Sequence, residues 1–98
     1  MNPGADPRIA ELRAAIDASD DAILQAVERR IEAVRALHDH KQATGTPLAD
    51  PGRETEIRNR LRAQAPELSE AAVAQLVTAV LQVTRQEVAR LRGQDWSS

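Results

Sequence analysis

The stretch that decides the fold is RIAELRAAIDASDDAILQAVERRIEAVRALHDHKQAT, residues 8–44, which contains neither proline nor glycine. Apart from a polar gap at Ser19–Asp20, apolar side chains recur along it in steps of three and four, as on one face of an α-helix. These side chains are Ile9, Leu12, Ile16, Ile23, Val27, Ile31, Val34 and Leu37. Asp6 and Pro7 suit the N-cap and first turn of a helix, and Gly45 suits its end. The sequence therefore predicts one long amphipathic helix.

Two shorter helices are predicted after it. The segment GTPLADPG, residues 45–52, has loop chemistry. We expect the second helix to begin near Asp50–Pro51, to continue through RETEIRNRLRAQA, residues 53–65, and to end before the helix-breaking Pro66. Ser69 suits the N-cap of a third helix. The apolar stripe of that helix consists of Val73, Leu76, Val77, Val80, Leu81, Thr84, Val88 and Leu91. We expect an all-α chain with one helical domain over residues 8–92, between a flexible leader, 1–7, and a flexible tail, 93–98.

The composition excludes several classes of protein. The 98 residues allow one domain, and the scarcity of glycine and aromatic residues argues against a β-sandwich. The absence of cysteine excludes a disulfide scaffold, a thiolate metal site and a cysteine nucleophile. A net charge of −2 argues against nucleic acid as partner, and no apolar run has the length of a membrane span. We expect a cytoplasmic protein.

The long helix is too long for one small chain to cover. At 1.5 Å per residue it would extend about 54 Å, whereas a compact chain of this size has a radius of gyration of about 13 Å. We therefore expect an intertwined homodimer, in which a second copy buries the exposed stripe. The alternative is a helix broken near Ser19–Asp20, giving a monomeric four-helix bundle.

Two basic residues, Arg30 and Lys41, border this stripe, and a third, Arg13, lies elsewhere on the helix. Arg30 and Lys41 are eleven residues apart and therefore project within about 20° of each other, whereas Arg13 lies about 100° off that line. Arg13 and Arg30 can share a pocket only if they come from different chains. Lys41 is the only lysine among 13 basic residues. The alternative for each arginine taken alone is that it binds no ligand and that its aliphatic stem lies along the flank of the helix.

The order of these residues resembles a known family. It comprises L-R-x2-I-D-x2-D at residues 12–20, R-R at 29–30, Lys41, and G-x-P-x2-D-x2-R-E at 45–54. This order is similar to that of the all-helical class of chorismate mutases. The resemblance extends from about Ile9 to Leu91 and implies a homodimer that rearranges chorismate to prephenate without a cofactor.

The resemblance also implies roles for individual residues. Arg30 and the partner chain's Arg13 would hold the two substrate carboxylates, and Lys41 would donate to the breaking ether oxygen. Asp50 and Glu54 would lie near the ring hydroxyl of the substrate, supported by Arg53. Each also has a structural alternative: Asp50 suits a helix N-cap, and Arg53 and Glu54 suit solvated positions in the first turn of a helix. The catalytic residues would thus be Lys41, Arg30 and Glu54.

The third helix departs from the family pattern. Where the family has Ser and then Gln or Glu four residues later, this chain has Thr84 and Val88. Relatives that act on isochorismate or on an amino-substituted chorismate therefore stay open, as does a non-catalytic regulatory dimer. The sequence identifies no regulatory partner enzyme. His38 and His40 have no carboxylate ligand set around them, so we interpret both as surface residues and expect no metal site.

Overall fold

The computed structural model describes residues 6–96, with side chains to residue 93. Three α-helices occupy this range and no strand occurs in it: α1 is Pro7–Thr44, α2 is Arg53–Gln64 and α3 is Glu70–Trp96. The predicted all-α class, with one long and two shorter helices, is confirmed. Within the same range, no helix combines the length and the apolar character needed to cross a membrane. Most of the predicted leader, residues 1–5, and the last two residues of the predicted tail lie outside the described residues.

Both ends of α1 follow from the residues predicted to cap it. The Asp6 carboxylate accepts a hydrogen bond from the Arg8 backbone N–H at 2.8 Å. At the other end Gly45 adopts a φ of 70°, a left-handed conformation that favours glycine. Between these ends α1 runs unbroken through Ser19, whose hydroxyl donates back to the Ala15 carbonyl at 3.0 Å. The alternative of a break at this point is therefore wrong.

The shorter helices differ from expectation at one end each. The residue that precedes α2 is Gly52, with a φ of 88°, and no side chain caps the helix, so Asp50 is not its N-cap. The Ser69 hydroxyl caps α3 as predicted, accepting from the Ala72 backbone N–H at 3.1 Å. The last helix continues to Trp96, although a flexible tail was predicted from Gly93. A single glycine within a helix costs only about 1 kcal/mol, which an adjoining helical sequence can offset.

α3 packs against both other helices, and α1 and α2 flank it. The buried core lies where α2 meets α3 and consists of Ile57, Val73, Val77 and Leu81. Only the C-terminal half of α1 has neighbours, because every residue of α1 up to residue 26 is exposed. The result is an elongated chain of 66 × 38 × 16 Å with a radius of gyration of 18.6 Å, against about 13 Å for a compact chain of this length.

Candidate active site

A cavity of about 650 Å³ lies between the C-terminal half of α1, the loop before α2, and the second half of α3. Its wall includes seven of the eight residues that the sequence singled out: Arg30, Lys41, Asp50, Arg53, Glu54, Thr84 and Val88. A second cavity of about 390 Å³ adjoins it, shares Arg30 and Arg53, and extends to Arg60 on α2. The fold thus gathers residues that are up to 58 positions apart into one place.

Arg30 is held in place by the third helix. Its Nη1 donates to the Thr84 hydroxyl at 2.7 Å, and that hydroxyl donates onward to the Val80 carbonyl at 2.7 Å. Thr84 is only 3% exposed, so the hydroxyl that links the two hydrogen bonds belongs to a buried residue. A guanidinium fixed in this way is oriented before any ligand binds.

The surroundings of Arg30 are electropositive. Burial and the neighbouring guanidinium groups of Arg53 and Arg60 lower the pKa of Arg30 from its ordinary value. Among the described residues no carboxylate forms an ion pair with Arg30. Since burying a cation without a counter-charge is unfavourable, an anion at this place would be stabilised.

Lys41 lies three turns further along the same side of α1. Its side chain is half-buried, and Nζ donates to the Leu48 carbonyl at 3.3 Å. This contact joins the end of α1 to the loop of residues 45–52. The same loop carries Asp50 to the cavity wall, which explains how a residue outside the helices reaches the site.

Glu54 and Arg53 occupy the first turn of α2. The Glu54 carboxylate accepts a hydrogen bond from Arg85 Nη1 of α3 at 2.5 Å, and both side chains are more than half exposed. An exposed pair of this kind adds little to stability, but it orients the carboxylate. Arg85 was not predicted as a site residue, although its position next to Thr84 places it on the flank of the same helix face.

The prediction for His38 was wrong, because this side chain is half-buried on the cavity wall. Its Nδ1 is buried and has no hydrogen-bond partner. Burial and the cations Arg92 and Lys41 lower the pKa of His38, which Asp39 partly offsets. His40 is exposed, as predicted. Helical spacing was the available signal, since His38 lies three residues before Lys41 on the same face.

The charge of the cavity is opposite in sign to that of the chain. Five cationic side chains line it, Arg30, Lys41, Arg53, Arg85 and Arg92, against the two carboxylates of Asp50 and Glu54. The whole chain carries a net charge of −2. Within the part of the chain that the structure describes, no group of His, Cys, Asp and Glu could hold a metal ion. The arrangement fits a small organic anion with more than one negative group.

Arg13 is the predicted site residue that the chain does not bring to the cavity. It is exposed on α1, seventeen residues or about 26 Å along the helix axis from Arg30. No arginine side chain spans that distance. Arg13 of the same chain is therefore not part of this site.

Comparison with known proteins gave one match. A family model described as chorismate mutase type II matches residues 12–88. This range contains all seven predicted residues of the cavity wall and Arg13. Neither a curated protein nor a solved structure gave a match.

Proposed function

Because the chain belongs to the chorismate mutase type II family, we propose that it converts chorismate to prephenate. In this reaction the ether C–O bond of the enolpyruvyl group breaks while a new C–C bond forms within the same molecule. The rearrangement requires no external nucleophile or redox partner. The observation that carries the proposal is the electropositive cavity containing Arg30 and Lys41 in a chain of this family.

Arg30 would bind one substrate carboxylate. The planar guanidinium matches a carboxylate with two parallel N–H groups, and the hydrogen bond to Thr84 fixes its orientation in advance. Holding a flexible dianion in the folded shape that reacts removes much of the entropic barrier to the rearrangement.

Lys41 would donate to the ether oxygen, on which negative charge grows as the C–O bond breaks. Its ammonium group is a compact donor that can aim at one atom, and it already lies at the cavity wall with Leu48 O as its partner. A donor aimed at developing charge contributes about 10²–10³ in rate. Glu54, oriented by Arg85, and Asp50 would accept from the ring hydroxyl, with Arg53 beside them.

A second copy of the chain would complete the site. The N-terminal half of α1 exposes an apolar row that no other described part of the chain covers: Ile9, Leu12, Ile16, Ile23 and Leu24. An antiparallel partner helix packed on this row would bury it and carry the partner's Arg13 toward the cavity. Arg13 would then bind the second carboxylate.

The direct test is to incubate the purified protein with chorismate and to follow the loss of ultraviolet absorbance, identifying the product. Prephenate supports the proposal. No loss of chorismate overturns it, and the same assay with isochorismate, read as salicylate plus pyruvate, would then assign the cavity to the related elimination reaction.

Replacing Lys41 tests the mechanism. We expect Lys41→Ala to lower kcat by about 10²–10³, and Lys41→Arg to fail nearly as much because a planar fork does not reproduce a point donor. Helical content by circular dichroism should stay unchanged. Arg29→Ala serves as control, because Arg29 is exposed on α1 and does not line the cavity. Unmodified rates in Lys41→Ala would contradict this mechanism.

A further inference from the structure

Arg92 lies in the cavity wall and forms no hydrogen bond or ion pair with the described residues. It is half-buried on α3, and its Nη2 is buried and makes no hydrogen bond. Most buried polar atoms in proteins are hydrogen-bonded, and a guanidinium is among the most costly groups to leave unsatisfied. An unpaired cation in a cavity wall is therefore a reason to look for a ligand.

A second cation and an imidazole line the same cavity as Arg92. Arg92 is the largest electrostatic influence on His38, whose own Nδ1 is buried without a partner, and Lys41 is the next. This end of the cavity thus gathers two cations and one imidazole nitrogen. Two buried atoms without a hydrogen-bond partner thus belong to side chains in the wall of one cavity, and both favour a ligand there.

The position of Arg92 follows from helix geometry. Thr84, Val88 and Arg92 are successive members of an i, i+4, i+8 series, so all three lie on one face of α3. Thr84 on α3 contacts Arg30 on α1. Eight residues further along each helix, Arg92 on α3 lies near His38 on α1. The two helices α1 and α3 therefore run in the same direction. Arg92 therefore marks the opposite end of the cavity from Arg30, about 12 Å away along the axis.

We propose that Arg92 is a substrate-binding residue, whose guanidinium donates to an anionic oxygen of the substrate at the Lys41 end of the cavity. The inference rests on the proposed function for the identity of the substrate. Since no hydrogen bond holds Nη2, rotation about the side-chain torsions can bring its N–H groups to a bound oxygen. Such a hydrogen bond to a charged group would strengthen binding by about 10- to 100-fold.

The test compares two arginines on one helix. Arg90 lies two residues before Arg92, about 200° around α3, and pairs with Glu87 in solvent. We would measure by calorimetry the Kd of a bicyclic dicarboxylate that mimics the transition state. Arg92→Met keeps the aliphatic stem and should raise the Kd about 10- to 100-fold. Arg92→Lys should restore part of the affinity. The control variant Arg90→Met should leave the Kd within about twofold of the unmodified protein.

A ligand-free measurement separates binding from a structural role. Because Arg92 has no hydrogen-bond or ion-pair partner in the part of the chain that the structure describes, Arg92→Met should leave the Tm unchanged or raised, whereas replacing a structural residue would lower it. Equal Kd values for Arg92→Met and the unmodified protein, or a lowered Tm of Arg92→Met, overturn the proposal for Arg92. If the unmodified protein still converts chorismate, the proposed mutase function is unaffected by that result. Tight binding that depends on Arg92 without turnover supports the proposal and overturns the mutase function. No binding by the unmodified protein overturns both.

Discussion

Val88 belongs both to the packed face of α3 and to the cavity wall. It is 3% exposed, and it lines the cavity together with Thr84 and Arg92. Sequence pattern alone could not separate a core position from a pocket position here, because a valine at stripe spacing fits either one. The structure shows that Val88 has empty volume on one side and side-chain packing on the other.

The empty side predicts how a longer polar residue is tolerated. We expect Val88→Gln to lose less stability than Val73→Gln, since the amide at residue 88 can extend into the cavity. Val73 is 6% exposed and lines neither cavity, so an amide there stays unsatisfied and costs about 1–3 kcal/mol. Urea denaturation of the two variants measures the difference. Equal losses would show that residue 88 has no access to the cavity.

His38 should give the protein an acid-sensitive stability. Its pKa in the folded state is lowered from 6.5 by burial, Arg92 and Lys41, with Asp39 acting in the opposite direction. The unfolded chain therefore binds a proton at this residue at a higher pH than the folded protein does, and stability falls as the pH drops below about 6.5. His38→Gln should reduce the loss of Tm between about pH 7.5 and about pH 5.

His40 provides the matched control for this prediction. It is two residues away on α1, is exposed, and does not line the cavity. His40→Gln should follow the pH dependence of the unmodified protein. If both variants behave alike, the acid sensitivity does not come from His38.

At the scale of the elements, two glycines fix the ends of the loop that carries Asp50. Gly45 ends α1 with a φ of 70°, and Gly52 precedes α2 with a φ of 88°. A β-carbon at either position would meet no atom within 4 Å, so an alanine there would be strained by its backbone conformation alone. Gly93, inside α3, has equally open space and no such conformation.

This contrast predicts opposite effects of one substitution. Gly45→Ala and Gly52→Ala should each destabilise the fold by about 1 kcal/mol, whereas Gly93→Ala should stabilise it by about 0.5–1 kcal/mol. Thermal denaturation of the three variants would measure both effects. A loss of stability in Gly93→Ala would contradict the helical conformation of that residue.

The elements also show what the sequence could predict. The α1 ends and the start of α3 depend on local chemistry, at Asp6, Gly45 and Ser69, and local chemistry can be read from a sequence. The start of α2 was missed because a loop glycine, rather than the Asp50 side chain, precedes it.

The site was predictable where residues of one element carried the pattern, as Arg30 and Lys41 do. Arg85, Arg92 and His38 were missed because their relevance depends on contacts between helices. Arg85 matters through Glu54 on α2, and His38 through Arg92 on α3. Helical spacing could place His38 on the face of Lys41, but the pairs between helices become visible only when the register of one helix against another is known.

At the scale of the whole molecule, the chain has two dissimilar halves. One end contains the core and the cavity, and the other is the free half of α1, whose apolar side chains are about half exposed. Leu12, at 47%, directly precedes Arg13 on this free half. A partner copy that covered the apolar row would therefore also determine where Arg13 points, so in the proposed dimer assembly and the completion of the site would depend on the same surface.

Mixing two inactive variants tests this dependence. In a dimer with shared sites, Arg13→Ala damages the partner's site and Arg30→Ala damages its own. A mixed dimer therefore has one site with both arginines and one with neither, and random exchange should restore up to about a quarter of the unmodified activity. Light scattering should give twice the 10.7 kDa chain mass for each variant and for the mixture.

Mixing Arg30→Ala with Lys41→Ala is the matched control, because both residues line the cavity of their own chain and every mixed dimer still lacks one of them at each site. Recovery in the control, none in the first mixture after confirmed exchange, or a monomeric mass would contradict a site shared between two chains.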